Sequence, residues 1–129
     1  CTKHIGWTIK MAGQNLRGLQ RLVAAWSNSR AGLKACWQHE EAFRQEVIIS
    51  LIAIPLALYL GESAVERSIL IGSLLLLLVI ELLNSAIEAT VDRIGLEHHE
   101  LSGRAKDIGS AAVFLGMVLV GSSWLIILL

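Results

Sequence analysis

Three long apolar stretches dominate the pattern of hydrophobic and polar positions along the chain. Residues 47–61 contain no charge, residues 68–90 begin with almost pure leucine and isoleucine, and residues 108–129 are again uncharged. The first stretch alone is about 22 Å long as a helix, so it needs flanking residues to cross a hydrocarbon core roughly 30 Å thick. The pattern predicts three transmembrane helices, over residues 42–61, 68–91 and 106–129.

Polar segments separate these stretches. Residues 61–68 read as a short turn, and the charged segment 92–105 reads as a loop in which Gly95 ends one helix and Ser102 caps the next. Upstream, apolar residues recur near helical spacing in residues 5–37, which predicts amphipathic helices lying in the membrane interface. A soluble pair of amphipathic helices is the alternative for that region.

Composition and charge support a membrane protein. Hydrophobic residues make up 54% of the chain, and residues 1–39 carry basic side chains but no acid, as expected of a surface region facing anionic lipid headgroups. We expect no nucleic-acid partner. Basic residues near the span ends favour a cytoplasmic N-terminus and a cytoplasmic 92–105 loop, with the C-terminus outside. The sequence therefore predicts a single all-α, multi-pass integral membrane domain over residues 1–129, with an amphipathic surface region over residues 1–39.

A polar stripe interrupts the second span. Glu81, Asn84, Ser85, Glu88 and Asp92 fall within a sector of about 100° on one helical face. Ionisable groups in hydrocarbon are costly, which indicates a functional site. Glu81, the deeper carboxylate, is suited to accept a proton, and Glu88 to bind a divalent metal. For Asn84 and Ser85, hydrogen bonding between helices is the structural alternative.

Further candidate groups flank this stripe. One of the acids Glu40, Glu41 and Glu46 could meet Glu88 across a magnesium ion, although Glu41 is more simply a solvated helix start. The loop supplies a mixed set suited to a polyphosphate and its sugar, unless it is an ordinary hydrated loop: Glu97, His98, His99, Arg104, Lys106 and Asp107. The chain contains neither a Walker loop nor a dinucleotide glycine fingerprint.

The motif "ELLNSAIEATVD" (residues 81–92) followed by "ELSGRAKDIGSAAV" (residues 100–113) resembles the signature of the bacterial diacylglycerol kinase family, which are small trimeric integral membrane lipid kinases. The resemblance extends over residues 32–129 without a gap and includes "GLKACWQHEEAFRQE". It implies a homotrimeric helical bundle in the bacterial inner membrane. The implied reaction is transfer of the ATP γ-phosphoryl group to diacylglycerol, with Mg²⁺, at sites shared between neighbouring protomers.

The same resemblance implies residue roles. Glu81 matches the general base, and Glu40 and Glu88 match the metal-binding glutamates. The implied nucleotide positions are Arg21, Asn28, Glu40, Glu88, Glu97, His98, His99, Lys106 and Asp107. The implied lipid-substrate positions are Arg21, Ser29, Trp37, Phe43, Arg44, Glu46, Glu81 and Ser110. The supporting positions are Asn84, Ser85 and Asp92.

Upstream of residue 32 the sequence departs from the family pattern, and two registers are open. The favoured ungapped register places Arg21 at the phosphate-contacting arginine. The other uses residues 10–19 and needs an insertion of about a dozen residues before Trp37.

Other functions remain as alternatives. The loop resembles Gram-negative members of the family more than the undecaprenol kinases of Gram-positive bacteria, which are one alternative. A small proton- or ion-coupled transporter subunit is another, since intramembrane carboxylates also relay protons. A transporter should carry polar residues through the full depth of the second span, yet residues 69–80 hold only Gly72 and Ser73 among aliphatic side chains. A purely structural bundle would leave the loop charges without a role.

Overall fold

A computed structural model describes residues 17–129, and the regular secondary structure of that part of the chain is entirely helical. Helix α1 covers Leu19–His39, α2 Glu41–Leu60, α3 Ala64–Ile94 and α4 Glu100–Leu128. Helices α2, α3 and α4 are long and apolar enough to cross a membrane. The predicted all-α fold with three spans is confirmed. Residues 1–16, which belong to the predicted surface region, lie outside the described residues.

The chain divides into two compact units at the junction between His39 and Glu40. The first unit contains α1, whose apolar side chains Leu22, Val23 and Trp26 are about two-thirds exposed. An exposed apolar face on a helix that also carries basic residues is typical of a helix lying in a membrane interface. The second unit, from Glu40 to Leu129, contains the three long apolar helices.

The turn between α2 and α3 is short because both helix ends are capped locally. The Gly61 N–H donates to Ala57 O at 2.9 Å and ends α2, while the Glu66 N–H donates to Ser63 Oγ at 3.1 Å and starts α3. The Glu66 carboxylate also accepts from the Glu62 N–H at 2.7 Å, a variant of the capping box. Helix α3 therefore begins at Ala64, four residues before the predicted span.

Helices α2 and α3 pack as antiparallel neighbours through one stripe on each helix. The buried residues of α2 are Phe43, Glu46, Ser50 and Ala57. Those of α3 are Leu70, Ser73, Leu74, Leu77 and Glu81. A register that sets residue 46 opposite residue 81 also sets 50 opposite 77 and 57 opposite 70, so each pair consists of two buried residues. The contact between Glu46 and Glu81 selects this alignment of the two helices.

Helix α4 packs on another side of α3 and approaches it closely at two glycines. Gly109 and Gly116 are the buried residues of α4. A Cβ atom on Gly116 would lie 3.0 Å from Leu77 Cδ1, and one on Gly109 would overlap Asn84 Oδ1. Small residues let membrane helices come close, and here they bring α4 against the polar part of α3. Helix α3 therefore lies between α2 and α4.

The connection between α3 and α4 places charged residues at the end of the bundle that holds the polar stripe. Gly95 ends α3, as predicted, and its N–H donates to Val91 O at 3.2 Å. The predicted cap at Ser102 is wrong. His99 caps α4 instead, because its Nδ1 accepts from the Leu101 N–H at 3.1 Å.

Most apolar side chains of the spans point away from this packing. In the most apolar 18-residue segment of α4, 6% of the residues are buried, whereas in the corresponding segment of the central helix α3 the share is 28%. Apolar surface of this extent is accommodated by lipid chains or by further helices. The described chain is that of a membrane protein.

Candidate active site

Two buried carboxyl groups face each other between α2 and α3. Glu46 is 9% exposed and Glu81 is 5% exposed, and the two side chains lie beside one another. Apart from the facing Glu81 carboxyl group, neither oxygen of Glu46 has a hydrogen-bond partner among the described residues. Burying a carboxyl group with no other partner is costly, and two ionised carboxylates at close range repel. This pair therefore stands out as a chemical feature of the bundle.

The pattern of the sequence does not indicate the pairing of Glu46 with Glu81. The sequence indicated that one of the first-span acids could meet Glu88, and the resemblance assigned Glu46 to the lipid. Phe43, Glu46, Ser50 and Ala57 lie at helical spacing on one face of α2, which is the signal that Glu46 points into the bundle.

One turn further along α3, an amide orients a second carboxylate. Asn84 Nδ2 donates to Glu88 Oε1 at 3.3 Å, and both residues are partly buried. Asn84 Oδ1 is buried against Gly109 and has no hydrogen-bond partner within residues 17–129. The close approach of α4 thus limits where the Asn84 amide can lie, and Asn84 in turn fixes one oxygen of Glu88.

A charged cluster follows where α3 ends and α4 begins. Lys106 Nζ forms an ion pair with Asp92 Oδ1 at 2.8 Å, and each side chain is nearly half exposed. The Lys106 ammonium also lies within electrostatic range of Glu88. The solvent-accessible end of α3 therefore carries charges of both signs, from Glu88, Asp92 and Lys106. Seven residues separate Glu88 from Glu81, or about 10 Å along the helix.

The remaining loop candidates are exposed. Glu97, His98, His99 and Asp107 are all solvent-accessible, as is Ser110 on the first half of α4. His99 uses Nδ1 in its cap, whereas the Arg104 guanidinium pairs with Glu100 at 3.4 Å within α4. The structure does not gather these side chains into one closed pocket within the described chain.

The candidates on α1 belong to the first unit and are placed by that helix alone. Arg21, Asn28, Ser29 and Trp37 are exposed. Arg21 and Asn28 are seven residues apart and so share one face of α1.

On α2 the candidates differ in exposure. Phe43 is buried, Arg44 is partly buried, and Glu40 is partly buried at the N-cap position. Ser85, on α3, is partly buried.

The described residues contain no group of three or more His, Cys, Asp or Glu side chains arranged to hold a metal ion. The α2–α3 register nevertheless sets residue 40 opposite residue 87, so Glu40 lies level with Glu88. Two carboxylates completed by phosphate oxygens and waters form a typical magnesium environment. The donor set at this end of the bundle fits a metal that arrives with a phosphate ligand.

The chain matches the family model described as prokaryotic diacylglycerol kinase over residues 27–128. It is 49% identical over 114 residues to the diacylglycerol kinase of Escherichia coli K12, covering 88% of this chain and 93% of that protein. The Haemophilus influenzae diacylglycerol kinase is 50% identical over 107 residues, covering 83% and 91%. The Helicobacter pylori 26695 diacylglycerol kinase is 44% identical over 108 residues, covering 84% of each chain.

Proposed function

The chain belongs to the prokaryotic diacylglycerol kinase family, and we propose that it transfers the γ-phosphoryl group of ATP to the hydroxyl group of diacylglycerol, giving phosphatidic acid. One observation carries the proposal: α3 holds a buried carboxyl group and, about 10 Å further along, a charged cluster open to water. A lipid alcohol needs a site within the apolar helices, whereas ATP needs one in water. This arrangement suits a reaction between the two.

Glu81 is the proposed general base. It is buried between α2 and α3, where the hydroxyl of a membrane lipid could reach it without its acyl chains leaving the apolar phase. From Glu81 toward the N-terminus of α3, the buried residues are Leu77, Leu74, Ser73 and Leu70. The stripe of ionisable residues therefore ends at Glu81. That ending favours a reaction at one membrane face over transport through the helix bundle.

Glu88 and Glu40 are the proposed Mg²⁺ ligands. When bound, the ion neutralises phosphate charge and aligns the phosphoryl group. Asn84 holds one oxygen of Glu88 and leaves the other available. Lys106, beside Glu88 and Asp92, supplies positive charge for the phosphates. Phosphoryl transfer requires mainly such positioning and charge neutralisation.

The other contacts rest on the family resemblance. The proposed further nucleotide contacts are Arg21, Asn28, Glu97, His98, His99 and Asp107. The proposed lipid contacts are Arg21, Ser29, Trp37, Phe43, Arg44, Glu46 and Ser110. Ser85 and Asp92 are proposed to support the polar stripe.

We further propose a homotrimer in the bacterial inner membrane, with active sites shared between protomers and the N-terminus in the cytoplasm. Extensive apolar surface on α4 is compatible with contacts to other subunits as well as to lipid. The basic residues near Glu40 and on either side of the connection between α3 and α4 support the orientation.

Assay of the purified protein in mixed micelles tests this function. Labelled phosphate should pass from ATP to diacylglycerol only in the presence of Mg²⁺, and Glu81→Gln should reduce kcat by a factor on the order of 10² to 10⁴ with little change in nucleotide affinity. Undecaprenol, assayed in parallel, identifies the preferred alcohol. Unchanged turnover in Glu81→Gln would remove Glu81 as the base, and transfer to undecaprenol alone would refute the substrate assignment.

A further inference from the structure

Glu46 needs an explanation beyond contact with a lipid. A residue that only contacts a headgroup would gain from exposure, yet this side chain is 9% exposed and its carboxyl oxygens have no hydrogen-bond partner in the described chain besides the Glu81 carboxyl group. Its carboxyl group is directed at Glu81. Unpartnered buried polar groups are rare in folded proteins, and catalytic roles are one recurrent reason for them.

We propose that Glu46 and Glu81 act together as a two-carboxyl proton acceptor, in which repulsion between the two ionised groups makes the pair a stronger base than a single carboxylate and both groups then share the proton. The inference rests on the proposed function, because it assumes that Glu81 is the base. It makes Glu46 a catalytic residue and assigns a chemical reason to its burial.

The proton balance of one turnover follows directly. The alcohol oxygen forms a bond to the γ-phosphorus as the bond between that phosphorus and the leaving ADP oxygen breaks. The hydroxyl proton moves to Glu81 and is held between the two carboxyl groups. The pair must release this proton to water before the next alcohol can react, so each turnover returns it to the doubly ionised state.

The surroundings favour this behaviour. Repulsion between two carboxylates is relieved by a single proton, and the effect is larger where water cannot screen the charges. On the membrane side the next paired layer consists of buried Ser50 and Leu77, and on the other side Phe43 is 4% exposed. These side chains limit solvation of the pair within the bundle.

Other charged groups occur on each helix packed around the pair. At the same end of the bundle as the pair they are Glu40, Glu41 and Arg44 on α2, Glu88, Asp92 and Arg93 on α3, and Glu100, Arg104, Lys106 and Asp107 on α4. Glu81 is the charged group whose field acts on Glu46, and Lys106 is engaged with Asp92 and Glu88. The electrostatic coupling of Glu46 within this unit is therefore to Glu81.

The test compares pH–activity profiles of wild type, Glu46→Gln and Glu46→Asp at saturating Mg²⁺. Glutamine keeps the size of the side chain and removes its charge. The pH at half-maximal kcat/KM should fall by about one unit, and the plateau kcat should fall roughly tenfold because the base is weaker. KM for ATP should stay within about twofold, since the substitution leaves the nucleotide cluster intact.

Glu46→Asp keeps the charge and should retain the wild-type midpoint more closely than Glu46→Gln. Ser50→Ala, on the same buried stripe of α2, controls for packing, and Glu62→Gln, in the distant turn, controls for loss of an acid. Both controls should keep the wild-type profile. If Glu46→Gln does not fold, Glu46→Ala replaces it as the variant without the charge: a midpoint about one unit below wild type supports the pair, and a wild-type midpoint overturns it.

The outcomes separate this inference from the proposed function. A Glu46→Gln profile that superimposes on wild type, or a change confined to the KM for diacylglycerol, overturns the carboxyl pair while leaving the kinase assignment in place. An active Glu81→Gln enzyme overturns the proposed base itself. Loss of activity in Glu81→Gln together with a lowered midpoint in Glu46→Gln supports both.

Discussion

Replacing Gly109 by alanine tests whether the contact between α3 and α4 positions Glu88, the carboxylate proposed to bind the metal. The added methyl group would occupy the place of Asn84 Oδ1, so either the amide must turn or the helices must separate. Either movement disturbs the hydrogen bond from Asn84 Nδ2 to Glu88 Oε1. The substitution should therefore change the position of the Glu88 carboxylate, although Gly109 itself has no side chain that could take part in the reaction.

The magnitude follows from two terms. Inserting a methyl group into a close-packed contact costs about 1–3 kcal/mol, and losing a hydrogen bond to a charged group costs about 1.5–3 kcal/mol. If the Asn84 amide turns, part of the steric cost is avoided but the hydrogen bond to Glu88 is lost. We therefore expect the free energy of unfolding to fall by about 1–3 kcal/mol. Loss of an orienting partner typically weakens metal binding by about 10- to 100-fold, so the Mg²⁺ concentration for half-maximal rate should rise at least tenfold.

Unfolding in mixed micelles and Mg²⁺ titration of the kinase rate measure these effects. Gly121→Ala is the matched control, because a Cβ atom there meets nothing within 4 Å in the described chain. Adding Asn84→Ala to Gly109→Ala should restore much of the stability by removing the overlap, while Mg²⁺ dependence stays impaired. Equal stability and equal Mg²⁺ dependence of Gly109→Ala and Gly121→Ala would refute the reasoning.

Three further predictions concern other contacts. Trp124→Phe removes the hydrogen bond from Trp124 Nε1 to Leu70 O at 3.3 Å. The free energy of unfolding in detergent should fall by about 0.5–1.5 kcal/mol with kcat unchanged, and a lowered kcat in the folded variant would contradict this. Ser63→Ala removes the cap of α3 and should destabilise by about 0.5–2 kcal/mol, whereas Ser68→Ala inside the helix should not; equal effects would show that the cap contributes little. Asp92→Asn frees the Lys106 ammonium from an exposed ion pair, so thermal unfolding should change little while the KM for ATP shifts; an unchanged KM would show that the pair does not restrain Lys106.

The sequence predicted much of the fold because membrane spans follow from local composition. The uncharged stretches gave the three helices, and the spacing of Glu81, Asn84 and Glu88 gave their common face. These features depend on the geometry of a single helix, which repeats every 3.6 residues whatever surrounds it.

Relations between helices could not be predicted in the same way. The pairing of Glu46 with Glu81 depends on the register of α2 against α3, which is set by the caps at Gly61 and Ser63. A polar run such as residues 61–68 does not show where within it a helix starts. The approach of Gly109 to Asn84 likewise joins residues far apart in the chain, and a glycine in an apolar helix has many possible roles.

The short, doubly capped turn at Ser63 acts at a distance from the chemistry. It lies about 27 Å along α3 from Glu81, at the opposite end of the span. Because both helices are fixed there, the length of the turn sets the register of α2 against α3. Lengthening it by a few residues would allow α2 to shift along α3 until Glu46 lay opposite an aliphatic side chain. Insertions in exposed turns are often assumed to be harmless. Here an insertion should abolish the kinase activity although it changes none of the residues of the proposed site.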